Sequence, residues 1–226
     1  PATPAKITSV DLRFNLLRSL PEWLQECRNV EVLLLGGNEL SALPQWVGGF
    51  RRLRILNLSH NPLQCIPEVL SRLPRLEALR LNGTGLTSIA PDFHPAHLKF
   101  LDLSNNHLRW IPRTVFDHCR RIRVLLLREN HLLCLPPSIA NLKWLRRLDL
   151  SHNSLGLFRA HACRFPELRV LGLQANRLLC LSPEFGSLVS LRELTIHDNR
   201  LKQLPESIGQ LAALRYLDAN NNALSG

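Results

Sequence analysis

The sequence predicts an α/β solenoid shaped as a horseshoe, with about ten short parallel strands in a concave sheet and irregular or short-helical segments on the convex side. Two observations support this prediction. Apolar residues recur with a period close to 23 residues along most of the 226-residue chain. Within each period they occupy the same positions, as "LRILNLSHNPLQCIP" from Leu53 and "LRELTIHDNRLKQLP" from Leu191 show. A fixed period of roughly 20 to 50 residues is the signature of a repeat architecture.

The repeat starts define the predicted domain. Each repeat begins at Leu, Ile or Val, and successive starts lie 22 to 24 residues apart. The starts are residues 7, 30, 53, 76, 98, 122, 145, 168, 191 and 214. We expect residues 7–226 to form a single domain, preceded by a linker at residues 1–6. Repeat 10 stops after 13 residues without a polar cap, so we expect the chain to be a fragment of a longer protein.

Each repeat predicts one strand and the turn that leaves it. Nearly every segment fits LxxLxLxxNxLxxLP, in which positions 1, 4, 6 and 11 are apolar. Because side chains alternate across a strand, positions 4 and 6 point inwards, while positions 3, 5 and 7 face the open, concave side. We place positions 8 and 10 on the open side as well. One such strand cannot bury its leucines alone, so stacked neighbours must cover them.

Position 9 carries an asparagine in nearly every repeat. An interior amide has two donors and an acceptor, and it can satisfy backbone groups that a short strand no longer pairs. The expected asparagine ladder consists of Asn15, Asn38, Asn61, Asn106, Asn130, Asn153, Asn176, Asn199 and Asn222. Thr84 interrupts the ladder between Gly83 and Gly85, so we expect a local irregularity of curvature in repeat 4.

These repeats resemble those of leucine-rich-repeat proteins over residues 7–226. The 23-residue rhythm with "LP" after the turn is similar to the intracellular class found in Ras-pathway scaffolds. The stretches "LPEWLQECRNVEVLLLGGNELSALP" and "NSLGLFRAHACRFPELRVL" are also similar to the repeat array of PH-domain leucine-rich-repeat protein phosphatases. The first resemblance implies a noncatalytic scaffold module that binds a partner protein within an intracellular signalling protein.

The likeness to the phosphatases implies an alternative function. The chain would then be a regulatory or substrate-recruiting segment of a larger signalling enzyme, a Ser/Thr phosphatase, kinase or GTPase, whose catalytic domain lies outside these residues. The sequence itself carries no phosphatase metal-binding motif, glycine-rich phosphate loop or paired-carboxylate motif. "DLSHN" at Asp149 to Asn153 holds the residue types of a hydrolase triad, but its order does not place the histidine between the other two. We therefore predict no catalytic residues and no cofactor.

Charge and cysteine spacing bear on partners and compartment. The formal net charge is +10, which favours acidic partners, nucleic acid or anionic lipid. The sequence has no uncharged run of about 18 apolar residues, so it predicts no membrane span. Cys65, Cys134 and Cys180 share position 13, and the closest two lie two coils or about 10 Å apart, beyond the reach of about 7 Å between Cα atoms in a disulfide. Reduced thiols predict a cytoplasmic or nuclear protein.

The nine histidines raise the question of a metal site. His107 and His131 share position 10 of adjacent coils and are expected to touch. The sequence offers no third ligand beside them, whereas a structural zinc ion takes about four. We therefore predict surface histidines and no bound metal.

The concave face is the predicted binding surface. Its side chains mix both signs of charge with a few apolar groups, a composition that suits a protein or peptide partner. The candidate partner-binding residues are Arg80, Phe100, Asp102, Asn105, Leu126, Arg128, Asp149, His152, Gln174 and His197. The alternative interpretation is a solvated sheet with cross-strand ion pairs, such as Arg80 with Asp102.

A second candidate surface is the basic edge, formed by position 2 just before the strands. Its members are Arg54, Lys99, Arg123, Arg146, Arg169, Arg192 and Arg215. Three interpretations stay open: a solvated edge, a docking edge for an acidic protein, or a nucleic-acid site. The sequence disfavours nucleic acid, because exposed aromatic side chains are not expected among these charges.

Overall fold

The computed structural model describes residues 6–159 and 163–225, and its strands form one ten-stranded parallel sheet. Each strand pairs with the next strand in chain order. The strands are β1 (Ser9–Asp11), β2 (Val32–Leu34), β3 (Ile55–Asn57), β4 (Ala78–Arg80), β5 (Phe100–Asp102), β6 (Val124–Leu126), β7 (Arg147–Asp149), β8 (Val170–Gly172), β9 (Glu193–Thr195) and β10 (Tyr216–Asp218). The predicted solenoid with a parallel sheet is confirmed.

The strand register places equivalent positions of the repeats side by side. In β2 and β3, for example, Val32 pairs with Ile55, and Leu33 pairs with Leu56. Each strand covers positions 3 to 5 of its repeat, and position 4 is buried from β1 to β9. The buried leucines join one core cluster that runs along the solenoid. Each coil therefore covers the apolar residues of its neighbour, as stacked repeats require.

Short helices form most of the convex side. Within the described residues there are six 3-10 helices of 5 residues: Glu22–Glu26, Gln45–Gly49, Glu68–Arg72, Pro137–Asn141, Pro183–Ser187 and Glu206–Gln210. Repeat 5 carries α1 (Arg113–His118) instead. A proline such as Pro44 precedes most of these helices, because its fixed φ and missing N–H suit the start of a helical turn. None of the described helices has the length and apolar character needed to span a membrane.

The chain leaves every strand through a left-handed residue at position 8. All ten position-8 residues have φ between 51° and 69°. They are Phe14, Gly37, His60, Gly83, Asn105, Glu129, His152, Ala175, Asp198 and Asn221. Glycine and asparagine adopt this conformation more readily than most residues. Every coil therefore turns away from the sheet at the same place.

Most ladder asparagines join two coils. Asn61 Nδ2 donates to the carbonyl of Leu58 in its own coil and to that of Leu35 in the preceding coil, each at 3.0 Å. Asn61 Oδ1 accepts a hydrogen bond from Leu40 N at 3.0 Å. Equivalent contacts occur at Asn38, Asn106, Asn130, Asn153, Asn176, Asn199 and Asn222. The amides thus supply bonds between coils beyond the ends of the three-residue strands.

Thr84 and the coil before it depart from this pattern. The Thr84 hydroxyl donates to Leu81 O at 2.7 Å. Leu63 N, whose equivalents bond a ladder Oδ1, donates to Asn61 O at 2.8 Å instead. Gln64 has a left-handed φ of 60° and donates its N–H to Thr84 O at 3.0 Å. The irregularity at repeat 4 therefore alters the turn of repeat 3 as well, because a hydroxyl supplies fewer hydrogen bonds than an amide.

Candidate functional site

The concave face carries a row of apolar side chains along position 3 of five consecutive strands. This apolar concave row consists of Val32, Ile55, Ala78, Phe100 and Val124. The strand register places each member directly beside the next. None of the five is buried, and Ile55 is 39% exposed. The row ends at β7, where Arg147 takes the equivalent position.

Sequence reasoning selects only Phe100 from this row. It misses Val32, Ile55, Ala78 and Val124, because each of them alone is an ordinary strand residue. The signal that finds them is positional: when the repeats are aligned, position 3 is apolar in repeats 2 to 6 without interruption. Stacking then turns five residues that are distant in sequence into one continuous strip.

Arg80 lies over the ring of Phe100, with its guanidinium carbon 5.3 Å from the ring centroid. This is a cation–π contact between adjacent strands. Asp102 is the register partner of Arg80, but the two form no ion pair in the part of the chain that the structure describes. The Asp102 carboxylate accepts a hydrogen bond from Ser104 N at 3.0 Å instead. Arg80 is therefore directed towards the apolar concave row.

The candidate residues of repeat 6 lie where the apolar row meets polar groups. Leu126 is partly buried and stands in register between Asp102 and Asp149. Arg128 Nε lies 2.9 Å from the carboxylate of its neighbour Glu129. Both members of this ion pair are largely exposed, so it contributes little to stability. Its charges stay available to a partner.

Asp149 and Ser151 bond to each other. Asp149 Oδ1 accepts hydrogen bonds from Ser151 N at 3.0 Å and from Ser151 Oγ at 2.6 Å. Ser151 is buried, whereas strand alternation predicts an exposed side chain at position 7. The hydroxyl bonds directly to the carboxylate, and His152 follows on a left-handed residue with an exposed side chain. The three residues therefore do not form the chain of a hydrolase triad, in which the base lies in the middle.

A polar cluster occupies the concave face of repeats 8 to 10. Gln174 Oε1 accepts a hydrogen bond from Thr195 Oγ1 at 2.6 Å. His197 Nδ1 lies 2.7 Å from the Asp198 carboxylate. A hydrogen bond from Asn221, and then the contact with His197, lower the pKa of Asp198. Much of the hydrogen-bonding capacity of this cluster is therefore used within the chain.

The remaining candidate, Asn105, occupies position 8 of repeat 5 with a φ of 52° and an exposed side chain. It follows β5, the strand that carries Phe100. The structure thus places all ten candidate residues along the open side of the sheet, from β4 to the turn after β9. They do not converge on one point, because the sheet separates the first of them from the last by five strand spacings of about 4.8 Å each.

The basic edge is partly neutralised at its N-terminal end. Glu77 stands between Arg54 and Lys99 in the same column, and its carboxylate lies 3.4 Å from Arg54 Nη2 and 3.0 Å from Lys99 Nζ. The hydrogen bond from Lys99 is the largest cause of the lowered pKa of Glu77. From repeat 6 to repeat 10, position 2 holds only arginine. The charge of this edge therefore concentrates in its C-terminal half.

The C-terminal half of the basic edge contains an exposed aromatic side chain. Trp144 is 55% exposed and lines a groove of about 310 Å³ with Lys99, Arg121 and Arg123. This contradicts the expectation that no exposed aromatic lies among these charges. Arg146 lies 3.5 Å from Glu167. The members without an ion pair among the described residues are Arg123, Arg169, Arg192 and Arg215.

His107 and His131 stack at the edge that follows the strands. Their ring centroids are 5.8 Å apart and their planes differ by 13°. Over residues 6–159 and 163–225, no group of three or more His, Cys, Asp or Glu side chains is placed to hold a metal ion. The two histidines therefore form a ring contact between neighbouring coils.

All six cysteines are free thiols. Cys119 and Cys163 lie in the core, where burial raises the pKa of each thiol to about 12. Cys65, Cys134 and Cys180 are exposed. Because the thiolate is the reactive form, alkylation of the folded protein should proceed at the exposed cysteines first.

Comparison with known proteins covers nearly the whole chain. The sequence profile described as leucine rich repeat matches residues 5–63, 41–86, 74–132, 96–155 and 166–224. The structure of a leucine-rich-repeat protein from Leptospira interrogans is 32% identical to this chain, with a TM-score of 0.94 over 97% of this chain and 56% of that one.

Two further solved structures share the fold at lower identity. The Arabidopsis thaliana receptor kinase GASSHO1/SCHENGEN3, in complex with CASPARIAN STRIP INTEGRITY FACTOR 2, is 26% identical, with a TM-score of 0.83 over 97% of this chain and 28% of that one. The Toll–Spätzle complex of Drosophila is 26% identical, with a TM-score of 0.83 over 94% of this chain and 31% of that one.

Curated relatives match over shorter stretches. The volume-regulated anion channel subunit LRRC8E of Homo sapiens is 41% identical over 59 residues, which is 26% of this chain and 7% of that protein. The subunit LRRC8D of Rattus norvegicus is 38% identical over 64 residues, which is 28% of this chain and 8% of that protein. The chain therefore spans a small part of these relatives and 56% of the Leptospira chain.

Proposed function

The chain belongs to the leucine-rich-repeat family, whose solenoid is a noncatalytic protein–protein interaction fold, and we propose that it binds a partner protein through the apolar concave row. Arg80, which makes no ion pair within the described residues, lies beside the row and favours an acidic group on the partner. The observation that carries the proposal is the uninterrupted line of five apolar side chains on the open face of the sheet.

The energetics favour burial of this row by a partner. The core lies on the other face of the sheet, so these side chains are left in contact with water. Covering apolar surface contributes roughly 25 cal/mol per Å², and a standard interface buries about 800 Å² on each partner. Five strands at about 4.8 Å spacing extend over about 19 Å, which is suitable for the centre of such an interface. Phe100 and Arg80 belong to the aromatic and arginine classes enriched in interfaces.

The structural neighbours support recognition of a protein or peptide. GASSHO1/SCHENGEN3 is described in complex with CASPARIAN STRIP INTEGRITY FACTOR 2, and Toll in complex with Spätzle. Those partners are described for those two proteins and are not assigned to this chain. They support the proposal because the same solenoid offers an extended concave surface in each case.

We assign this recognition to an intracellular signalling protein, in which the chain acts as a scaffold module. Six unpaired thiols support a cytoplasmic or nuclear compartment, because disulfides persist mainly in oxidising compartments. The alternative is a regulatory or substrate-recruiting segment of a larger signalling enzyme. Both functions use the same surface. The sequence of the full-length protein distinguishes them, because the alternative requires a catalytic domain outside these residues.

Quantitative affinity capture tests the proposal. The baits are the wild-type chain, the double variant Ile55→Asp/Val124→Asp, and the control Val189→Asp in the turn after the Pro183–Ser187 helix. We expect a set of proteins that the wild type and the control retain and the double variant loses, because two carboxylates interrupt the apolar concave row. Equal recovery with all three baits would contradict the assigned face. Circular dichroism of each bait verifies that it is folded.

A further inference from the structure

Four large apolar side chains line the edge that follows the strands, across the sheet from the basic edge. This apolar ridge consists of Trp110, Leu133, Leu157 and Leu179. Its members occupy position 12 or 13 of repeats 5 to 8, one in each coil, and each is between 47% and 62% exposed. In repeats 1 to 4 these positions carry polar or small residues, for example Ser41 and Thr87.

The solenoid itself does not need apolar residues at the ridge. Position 11 already supplies the buried contact of each coil, as Leu132 and Leu178 do. The next residues, Leu133 and Leu179, are exposed. Single exposed apolar side chains are ordinary on protein surfaces, whereas a continuous patch marks an interaction site. The ridge places one exposed, large apolar side chain in each of four consecutive coils.

The backbone beside the ridge is held in a fixed register. His131 N donates to Leu108 O at 2.9 Å, and Arg177 N donates to Leu155 O at 3.0 Å. A bond of the same kind links repeats 6 and 7 at 3.0 Å. Each bond lies just before the ridge residues of its coil. The ridge is therefore preorganised, which lowers the entropy cost of binding.

Gly156 forms a notch in the middle of the ridge. It holds position 12 of repeat 7, between Leu133 and Leu179 at the same position of the flanking coils. A Cβ atom added at Gly156 would meet no atom within 4 Å. The two leucines are two coils apart, or about 10 Å. We call this open position between two exposed leucines the Gly156 notch.

The surroundings of the ridge are basic. Positions 10, 12 and 13 of repeats 5 to 8 hold no acidic residue. They include Arg109, Arg177 and the stacked pair His107 and His131. Arg109 and Arg177 are exposed and make no ion pair within the described residues. A partner that covers the ridge therefore meets apolar surface bordered by free positive charge.

We propose that the apolar ridge binds an amphipathic α-helix of a partner protein, with one apolar side chain in the Gly156 notch and acidic side chains facing Arg109 and Arg177. The dimensions agree. Residues i and i+7 of a helix are about 10.5 Å apart, close to the spacing of about 10 Å expected between Leu133 and Leu179. The four coils span about 14 Å, which corresponds to between two and three helical turns. This surface is separate from the apolar concave row.

Two other occupants fit less well. An added β-strand needs unpaired strand backbone, but β2 to β9 are each paired on both sides. A membrane-surface element inserts its apolar face about 5–10 Å into the lipid. Each ridge side chain is only about half exposed, so it extends a short way above the protein surface. Partly sunken side chains beside an open notch favour a helix that packs against them.

Selection from a displayed peptide library tests the proposal. The library contains helical peptides of about 14 residues with Leu or Phe on one face and with Glu or Lys, chosen at random, beside that face. Selection on the whole chain should enrich Glu-flanked peptides. These peptides should bind the Gly156→Arg variant at least about tenfold more weakly than they bind the wild type. Gly156 has open space and no left-handed φ, so arginine fills the notch without strain. Gly209→Arg, at another glycine with open space, is the matched control.

Exposed cysteines report where the enriched peptide binds. Cys134 and Cys180 lie in ridge coils, whereas Cys65 holds the same position in repeat 3, outside the ridge. With the peptide at ten times its dissociation constant, alkylation of Cys134 and Cys180 by iodoacetamide should slow by about tenfold. Cys65 should react at an unchanged rate. The double variant Leu133→Gln/Leu179→Gln alters only exposed side chains and should lose the protection.

Several outcomes would overturn the proposal: no enriched peptide on the folded chain, enrichment of Lys-flanked peptides, equal affinity for Gly156→Arg, or equal protection of all three cysteines. A lipid arm separates the membrane alternative. Vesicles of phosphatidylserine and phosphatidylcholine are expected to leave the alkylation rates unchanged. Protection of Cys134 and Cys180 by these vesicles would assign the ridge to a membrane instead.

Discussion

Two halves of the concave sheet share one backbone and differ in what they offer to a partner. Repeats 2 to 6 present the apolar concave row, whereas repeats 8 to 10 present side chains that bond to one another, such as Gln174 with Thr195 and His197 with Asp198. The strands have the same length and register in both halves. The repeat therefore fixes the positions of the side chains on the sheet. The residue types at the open positions decide whether those side chains are available to bind a partner.

The two halves differ in the binding free energy that a partner gains by covering them. A partner on the polar half must replace hydrogen bonds that the chain already makes, and an exchanged hydrogen bond contributes only about 1 kcal/mol net. A partner that covers the apolar concave row gains roughly 25 cal/mol for each Å² of apolar surface removed from water. This is the physical reason to place recognition in repeats 2 to 6.

The largest expected effect is a loss of stability, and it tests whether the asparagine ladder stabilises both halves of the sheet equally. Asn61→Ala and Asn153→Ala each leave unsatisfied a buried leucine N–H and two backbone carbonyls, one in the same coil and one in the preceding coil. Each should lower the free energy of unfolding by about 3 kcal/mol, as measured by urea denaturation. Asn15→Ala, whose amide bonds only within its own coil, should cost less than about 1 kcal/mol. Strongly unequal losses at Asn61 and Asn153 would show that the two halves differ in scaffold as well.

The second effect compares the two surfaces directly. Phe100→Ala removes the aromatic centre of the apolar concave row and should weaken binding of a captured partner by about 30-fold. His197→Ala, in the polar cluster, should weaken it by less than about threefold. Isothermal titration calorimetry measures both affinities. The reverse order would place recognition in the polar half.

A smaller effect concerns the cation–π contact at the centre of the first half. Arg80→Ala removes the guanidinium that lies over Phe100 and should reduce affinity by about two- to fivefold. Arg80→Lys should recover only part of the loss, since an ammonium does not stack on a ring as a planar guanidinium does. Titration calorimetry with the same partner gives both values. Full recovery by lysine would reduce the role of Arg80 to its charge.

The smallest effect is the pH dependence of stability that Asp198 contributes in the polar half. The pKa of Asp198 is lowered in the folded state, so this carboxylate contributes stability at pH values above its unfolded pKa, which is about 3.9. That contribution is lost as the pH falls through the lower, folded pKa. The difference in urea midpoint between the wild type and Asp198→Asn should therefore narrow below about pH 4. Asp102→Asn, in the apolar half, is the matched comparison.

The sequence predicts the parts of this fold that repetition determines. The apolar positions and the 23-residue spacing predict the solenoid and its parallel strands, because a single coil cannot bury its own leucines. The sequence does not predict that Gln64 turns left-handed, since this depends on Thr84 in the next coil offering fewer hydrogen bonds than asparagine. It also misplaces Ser151, whose hydroxyl folds back onto Asp149.

The candidate surfaces are less predictable than the fold. Arg80 has Asp102 beside it in register and yet lies over Phe100, a choice of side-chain rotamer that no spacing encodes. The apolar concave row and the apolar ridge both become visible only after equivalent positions are stacked. Trp110 and Leu133 look like core residues in the linear sequence, and only their exposure reveals a surface.

Site-specific photo-crosslinking tests most directly whether the apolar half of the concave sheet is the binding face. A benzophenone amino acid replaces Ile55 in one variant and Glu193 in another, and both residues occupy position 3 of a strand on the same sheet. Irradiation in cells followed by mass spectrometry identifies the crosslinked protein. We predict a protein adduct at position 55 and none at position 193. An adduct at position 193 with none at position 55 would contradict recognition through the apolar concave row.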